Sequence, residues 1–351
     1  MRFRRDGYLV VPDLVPQRDV EELRHHTDDL MQGRLPEQRG RAMTERDTST
    51  DHGVSVQALE APPEHLTPEQ KADHFLRIHM LHRHLELHER YLLHPRVLDV
   101  LEVLIGPDVL ALQTMLFLKG PGKPGQGWHQ DSYYIPTHPD TLCGAWIAID
   151  DCDEENGAMY FAAGSGSEPV YPPCPEAGYG FGDRLLSDIR HVKGVSDTND
   201  RENMLSDIAV KYERRLAPMR AGDVAFFNGH VLHCSRQNRS KTRFRRSFVG
   251  HYCNARSFTQ WGADVEAPDG HVRDPKDVHA APTVDPVTKS TNGSHILARG
   301  DTHLAFARPR FGTPCAALLP ASERSDQTAR AARIIASLNT GLLGCAEPVE
   351  R

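Results

Sequence analysis

The segment Gly127–Asp131, with sequence GWHQD, is the first whose residue types and spacing could do chemistry. In a β-strand, residues two positions apart share a face, so His129 and Asp131 would point the same way and Gln130 the opposite way. An imidazole and a carboxylate side by side are two of the three ligands of a facial metal triad. Many proteins contain His-x-Asp by chance, so an ordinary strand with a hydrogen-bonded histidine is the alternative.

A second segment, residues 222–235, offers two candidates for the third ligand, His230 and His233. Strand alternation places His233 on one face with Ser235, whose hydroxyl could bond to a bound carboxylate. His230 falls on the other face. Alternation decides between the two only in part, and we favour His233 as the third ligand.

A third segment starts at Arg245-Arg246-Ser247. A guanidinium fork is the group best suited to a bidentate grip on a carboxylate, and the co-substrate 2-oxoglutarate has a distal carboxylate that needs such a partner. Arg245 and Ser247 would share one strand face, which predicts a buried Arg245 and a solvated Arg246. The register could be the reverse, because the turn before Arg245 is ambiguous. The order of the three segments, rather than any one of them, indicates a single site.

The elements that must position these residues change in type along the chain. After a turn and a strand within residues 3–12, apolar spacing predicts helices over 17–31 and 68–105, with a second helix starting at Pro95. Another helix is predicted over 322–338. Between them, short β-favouring runs are separated by turn residues, which favours an antiparallel sandwich or barrel. The predicted strands cover residues 109–119, 128–135, 144–149, 159–162, 208–212, 223–227, 232–235 and 245–252.

Composition narrows the class of protein. Apolar residues make up 39% and charged residues 25%, as in an ordinary globular protein. A net charge of −7 argues against nucleic acid or an anionic membrane as the main partner, and no apolar run is long enough to span a bilayer. The seven cysteines form no Cys-x-x-Cys pair, which favours reduced thiols in a cytoplasmic protein. A small-molecule substrate is therefore the expected partner, while the oligomeric state stays open.

Taken together, the motifs resemble the phytanoyl-CoA dioxygenase-like family from about residue 3 to residue 253. The matching stretches are Asp6–Val11, Thr114–Lys119, Trp128–Asp131, Ala145-Trp146, Glu155–Gly157, Gly222–Phe227, His233–Ser240 and Arg245–Ser247. The resemblance implies a mainly β fold with flanking helices, a double-stranded β-helix of the cupin-type jelly roll. We expect one domain over 1–351, with supporting elements in 1–105, a jelly-roll core in 106–255 that carries an insertion at 165–207, and a C-terminal extension in 256–351.

The resemblance also assigns roles. It implies Fe(II) held by His129, Asp131 and His233, with O2 and 2-oxoglutarate as co-substrates, and 2-oxoglutarate contacts from Met115, Trp146, Ser235 and Arg245. The implied activity is a dioxygenase that hydroxylates a small metabolite, in a biosynthetic pathway, with release of succinate and CO2. Desaturation, cyclisation or epoxidation of a natural-product intermediate is one alternative, and a non-catalytic metal- or ligand-binding relative is another. Asp131 fills the position that halogenases of related fold leave to chloride, so halogenation is not expected.

Other histidines need separate interpretation. Six lie between residues 74 and 94, and His84 with His88 could chelate a metal if both lay on one helix. We interpret this group as a polar helix face, because no carboxylate or cysteine completes a site. His138 and His251 lie near the predicted site, and we expect that either could touch a substrate. Tyr133 and Tyr134 follow the metal motif on the same predicted strand, where one would line the pocket.

Overall fold

The computed structural model describes residues 2–39, 54–56, 59–171, 204–257, 259, 295–302, 307 and 309–311. Strands dominate this part of the chain and lie mostly after residue 108. Their bounds are β1 (Tyr8–Val11), β2 (Val54–Val56), β3 (Phe75–His79), β4 (Val109–Lys119), β5 (Gln126–His129), β6 (Cys143–Ala148), β7 (Met159–Ala163), β8 (Glu213–Ala217), β9 (Val224–Asn228), β10 (His233–Ser235), β11 (Arg245–Asn254) and β12 (Ile296–Arg299).

Helices lie mainly before the strands. Their bounds are α1 (Arg2–Asp6), α2 (Gln17–Met31), α3 (Pro68–His74), α4 (Glu86–Leu92), α5 (Pro95–Ile105), α6 (Asp131–Tyr134) and α7 (Met204–Ala209). Short 3₁₀ turns cover Pro36–Gln38, Leu81–Arg83 and Ser165–Ser167. None of these described helices is long and apolar enough to cross a membrane.

The strands form two sheets. The large sheet has the order β1-β9-β6-β11-β4-β3-β2, and β12 also pairs with β4. The small sheet has the order β5-β10-β7-β8. All strand pairs are antiparallel except β2 with β3. The predicted mainly β fold with flanking helices is therefore confirmed.

Two apolar clusters follow from strand alternation, because successive side chains of the large sheet point to opposite faces. Phe248 belongs to the cluster that packs the large sheet against the helices, together with Leu23 and Leu101. The neighbouring residue Val249 belongs to the cluster between the two sheets, together with Trp146. The space between the sheets is where the predicted site residues must meet.

Several element predictions are confirmed by the structure. The helix over 17–31 has the predicted bounds, because its apolar residues Val20, Leu23 and Leu30 fall on one buried face. The strand over 109–119 also has the predicted bounds. The helix expected from Pro95 is α5, with proline in the first turn, where its missing N–H costs nothing.

Other element predictions were wrong. Residues 75–79, predicted as helix, form β3, because Phe75 and Ile78 are spaced three apart and fit either element until pairing with β4 decides. Residues 208–212, predicted as a strand, are the end of α7 and a turn before β8. Strands β2 and β12 lie in stretches for which no strand was predicted, because their short polar surroundings show no alternating pattern.

The N-terminal turn was also predicted imperfectly. Residues 2–6 form the short helix α1, and Gly7 with φ +82° ends it before β1. A Cβ on Gly7 would lie 2.9 Å from Cβ of Val231, so this position requires glycine. The helix predicted over 322–338 and residues 172–203 of the insertion lie outside the described residues. The single-domain organisation over 1–351 stays a prediction.

Candidate metal centre

The three predicted metal ligands converge between the sheets. His129 ends β5, His233 begins β10, and the two are antiparallel register partners. Oδ1 of Asp131 lies 3.6 Å from Nε2 of His129 and 3.6 Å from Nε2 of His233. One ligand atom from each of the three lies within 4.8 Å of the others, and all three residues are buried. A single ion could therefore contact all three side chains.

The local backbone around Asp131 differs from the prediction. Gln130 is extended, with φ −123° and ψ 127°, but Asp131 starts the helical turn α6 rather than continuing the strand. Strand alternation was therefore the wrong reason for the pairing of His129 with Asp131. Tyr133 and Tyr134 consequently lie on this turn, and the ring of Tyr134 stands edge-on to that of His129, 6.4 Å away.

Backbone carbonyls orient both imidazole rings. Nδ1 of His129 donates to the carbonyl of Gly127 at 2.8 Å, and Nδ1 of His233 donates to the carbonyl of Val231 at 3.0 Å. A carbonyl only accepts, so the proton sits on Nδ1 and the lone pair of Nε2 faces Asp131. Each ring is therefore in the tautomer that a metal needs.

Burial and neighbouring charge set the protonation of the group. Burial, together with the nearby His233, lowers the pKa of His129 to about 3. Burial acts to raise the pKa of Asp131, but the surrounding histidines 233, 251 and 129 lower it more, so its pKa falls below the usual range. Two imidazoles and one carboxylate are the donor set of a facial triad, which fits Fe(II).

His251 is a neighbour whose role the sequence did not reveal. Its Nε2 lies 2.9 Å from Oδ2 of Asp131, the oxygen that faces away from the two ligand histidines. Its Nδ1 lies 2.9 Å from Nε2 of Gln113, and all of these side chains are buried. We had expected His251 to touch a substrate, whereas it contacts a metal ligand.

His230, the alternative third ligand, lies elsewhere. Its Nδ1 donates to the carbonyl of Glu168 at 2.6 Å, and its Nε2 contacts the carboxylate of Asp140. This carboxylate raises the pKa of His230, and burial opposes it. His230 therefore anchors the start of the insertion, and the metal-ligand geometry groups His233 with His129 and Asp131.

Arg245 lies on the inner face of the large sheet and is 2% exposed. Its guanidinium carbon lies 5.5 Å from the Trp146 ring and 5.8 Å from the Phe117 ring, and its Nη1 donates to Oγ of Ser247 at 3.3 Å. Its Nε has no hydrogen-bond partner in the described part of the chain. Burial lowers its pKa to about 10, so it stays charged at neutral pH. A buried cation with an unused donor fits a bound carboxylate.

Arg246 was predicted to be solvated, and this was wrong. Its Nε donates to Oδ2 of Asp150 at 2.8 Å, and its Nη1 contacts Asp28. Its side chain is only 11% exposed, because it ties β11 to α2 on the helix side of the large sheet. The predicted division between an inner Arg245 and an outer Arg246 nevertheless matches the strand register.

Of the remaining predicted contacts, Trp146 lies beside Arg245 and Met115 shares its sheet face with Trp146. Val249 of β11 pairs with Met115 on one side and with Trp146 on the other, so all three share the inner face. Ser235 is less free than expected. Its Oγ accepts from Nζ of Lys119 at 3.0 Å and from the backbone N–H of Gln126 at 3.1 Å. One hydroxyl proton of Ser235 is left to donate.

Lys119 is a second residue that sequence reasoning missed. Its ammonium group is buried and donates to the carbonyl of Arg236 at 2.7 Å, as well as to Ser235. Lys119 is also the register partner of Arg245. It therefore fixes the loop between β10 and β11 that delivers Arg245. The sequence signal that could have identified Lys119 is its place in Thr114–Lys119, one of the stretches that match the family.

The histidines between residues 74 and 94 do not form a polar helix face. His82, His88 and His94 are buried, and His84 lies before the first residue of α4. The ring of His88 instead packs between His26 and Phe248, at 5.3 Å and 5.5 Å. The alternative in which His84 and His88 chelate a metal on one helix is therefore excluded by the position of His84.

A family model described as Phytanoyl-CoA dioxygenase (PhyH) matches residues 3–247. The chain belongs to this family. The phytanoyl-CoA dioxygenase family consists of non-haem iron, 2-oxoglutarate-dependent oxygenases, and the His129–Asp131–His233 group supplies the corresponding facial triad. The predicted enzyme class and its cofactors, iron and 2-oxoglutarate, are confirmed at this level.

Curated relatives span most of the chain at low identity. Phytanoyl-CoA dioxygenase domain-containing protein 1 of Danio rerio is 24% identical over 265 residues, which cover 68% of this chain and 84% of the relative. The peroxisomal phytanoyl-CoA dioxygenase of Bos taurus is 24% identical over 72% of this chain and 67% of its own. An ectoine dioxygenase of Stutzerimonas stutzeri is 25% identical over 68% and 70%.

Solved structures show the same fold. The apo form of the non-heme monooxygenase ThoJ superposes with a TM-score of 0.52 at 19% identity, over 97% of this chain and 98% of that one. The alpha ketoglutarate dependent epimerase SnoN from nogalamycin biosynthesis superposes with a TM-score of 0.50 at 19% identity, over 83% and 91%. The predicted double-stranded β-helix is thereby confirmed.

Proposed function

We propose that this phytanoyl-CoA dioxygenase family member hydroxylates a small-molecule metabolite, with consumption of 2-oxoglutarate and O2 and release of succinate and CO2. Arg245 carries the proposal. Its buried guanidinium has an unused donor and lies against Trp146, which belongs to the apolar cluster whose phenylalanines pack on the ring of His233. A site that only bound a metal would gain nothing from a buried cation beside it, because an uncompensated buried charge is costly.

In this proposal, His129, Asp131 and His233 hold the iron. When bound together, iron and 2-oxoglutarate supply the oxidising chemistry that activates a substrate C–H bond. Arg245, held in place by Ser247, would bind the distal carboxylate of 2-oxoglutarate, and Ser235 would donate its hydroxyl proton to the same carboxylate. Met115 and Trp146 would contact the keto acid from the inner face of the large sheet.

The apolar walls have a second role. Phe161 and Phe227 pack on the ring of His233 at 5.9 Å and 4.8 Å, and both are buried. They keep water away from the ligand atoms on that side, which strengthens the electrostatic interactions of the site and limits side reactions. The chain offers these walls before any substrate binds.

The substrate is proposed to be a small metabolite of a biosynthetic pathway. Two observations support this choice. The net charge of −7 disfavours a polyanionic acyl-CoA ester as the substrate, because like charges repel. Among the structural neighbours, SnoN and the carbocyclase SnoK are from nogalamycin biosynthesis. SnoN is described as an epimerase and SnoK as a carbocyclase, which favours a second candidate reaction, an epimerisation or ring closure on a natural-product intermediate.

Product analysis under 18O2 tests the proposal. Candidate metabolites are incubated with Fe(II), 2-oxoglutarate and ascorbate, and the products are analysed by mass spectrometry. Hydroxylation predicts a product that has gained one 18O atom, formed in a one-to-one ratio with succinate. A product that has lost two hydrogens, or an isomer of the substrate, would replace hydroxylation with desaturation, ring closure or epimerisation.

A further inference from the structure

The two oxygens of Asp131 have different surroundings. Oδ1 lies 3.6 Å from Nε2 of His129 and of His233, so it faces the metal position. Oδ2 lies 2.9 Å from Nε2 of His251. We propose that His251 is a positioning residue that holds Oδ2 away from the metal, so that Asp131 binds through one oxygen only. The inference rests on the proposed function in that it requires a metal at this site.

The direction of the hydrogen bonds follows from the chemistry of the groups. The Asp131 carboxylate can only accept, so Nε2 of His251 carries a proton and donates it. In the neutral ring Nδ1 then has a lone pair, and the amide Nε2 of Gln113, 2.9 Å away, donates to it. Gln113 therefore selects the tautomer of His251 that can hold the carboxylate.

The large sheet makes this arrangement rigid. Gln113 and His251 are register partners on β4 and β11, next to a register shift between His251 and Tyr252. Gln113 is 3% exposed, His251 4% and Asp131 8%, so water competes little for these hydrogen bonds. The metal ligands His129 and His233 come from the small sheet. The large sheet thus controls a ligand that the small sheet does not hold.

Binding through one oxygen matters for the chemistry. A facial triad that uses three coordination positions leaves three for 2-oxoglutarate and O2. If Oδ2 were free to rotate, both carboxylate oxygens could bind the metal and fill one of those positions. His251 would therefore both order the ligand before the metal arrives and keep a position open afterwards.

Metal binding to the full-length protein tests this inference. Co(II), a redox-stable substitute for Fe(II), is titrated into the metal-free wild type and into His251→Leu, and its visible absorption spectrum is recorded. We expect His251→Leu to bind Co(II) about 10- to 100-fold more weakly, the loss typical of residues that support metal ligands. We also expect its Co(II) spectrum to change, because a second oxygen becomes available.

Three further variants separate positioning from a general effect on folding. His251→Gln retains an N–H that can reach Oδ2, and we expect it to restore the wild-type spectrum and most of the affinity. Gln113→Leu leaves the imidazole but removes its tautomer selection, and a smaller loss of affinity is expected. The control is His88→Leu, which also replaces a buried histidine by leucine. His88 packs against Phe248 on the opposite face of β11, so this variant should leave Co(II) binding unchanged.

The outcomes are distinguishable. If His251→Leu and Gln113→Leu both bind Co(II) with the wild-type affinity and spectrum, the inference is wrong although the metal centre stands. If His251→Leu does not fold, Gln113→Leu decides by the same criterion. If the wild type itself binds no Co(II), the metal centre and the proposed function fail instead.

Discussion

Buried histidines lie on both sides of the large sheet, and the two groups differ in the hydrogen bonds that their ring nitrogens make. On the metal side, His129, His233 and His251 each have a hydrogen-bond partner for Nδ1. On the helix side, His88 has no partner for either nitrogen and His26 has none for Nε2, within the described part of the chain. Burial alone therefore does not mark a functional histidine, whereas a hydrogen-bond partner at Nδ1 fixes the ring and its tautomer and so presents Nε2 for binding.

Loss of a metal-side histidine should have the largest effect. His233→Ala removes one of three ligands, and we expect it to reduce metal affinity by more than the about 100-fold upper range seen for residues behind the ligands. Turnover should be lost with the metal. His230→Ala is the matched control, because His230 bonds to Asp140 and to the carbonyl of Glu168. Equilibrium dialysis with metal analysis measures both, and the opposite result would move the third ligand.

The two neighbouring arginines should separate binding from stability. Arg245→Ala is expected to weaken 2-oxoglutarate binding by about 30-fold or more, since truncating one member of a buried charge pair costs about 2 kcal/mol or more. Arg246→Ala should leave that affinity unchanged and lower the free energy of unfolding, because Asp150 and Asp28 lose their ion pairs with Arg246. Isothermal titration and denaturant unfolding measure these quantities. If Arg246→Ala weakened 2-oxoglutarate binding and Arg245→Ala did not, the strand faces assigned to the two arginines would have to be exchanged.

The helix-side histidines should affect only the pH dependence of stability. Burial lowers the pKa of His88 well below 6.5, so the unfolded chain takes up a proton below about pH 6.5 that the folded protein does not. The stability from a neutral His88 is therefore present above that pH and lost as the pH falls. We expect His88→Leu to remove about 2 kcal/mol of the stability loss between pH 7 and pH 5.

Urea unfolding of the metal-free protein at several pH values measures this difference between His88→Leu and the wild type. An identical pH slope for the two proteins would show that His88 takes up a proton as readily in the folded state as in the unfolded chain, and the distinction between the two histidine groups would lose its basis.

Local patterns predicted much of the site. His129-x-Asp131 was singled out from two residue types, and alternation favoured His233 and Arg245, the members of each pair that the structure places on the side of the metal-ligand group and on the inner face of the large sheet. The structure brings these side chains together because β10 and β11 belong to the two sheets, whose inner faces pack against each other. Asp131 was paired with His129 on the assumption that both lie on one strand, whereas Asp131 starts a helical turn.

Contacts between distant strands could not be predicted in this way. His251 reaches Asp131, and Lys119 reaches Ser235, only because β4, β11 and β10 come together in the folded protein. Neither pair has a sequence spacing that a single segment could reveal. Strand β3 was missed for a related reason, because its apolar spacing fits a helix and only pairing with β4 makes it a strand.

The central claim is that three side chains and a buried arginine form one iron- and 2-oxoglutarate-dependent centre. Succinate formation without added substrate tests it most directly, with purified protein, Fe(II) and labelled 2-oxoglutarate under air and under argon. We predict slow succinate release under air that disappears under argon and in His233→Ala. No succinate from the iron-loaded wild type under air, or an equal amount under argon, would contradict the account.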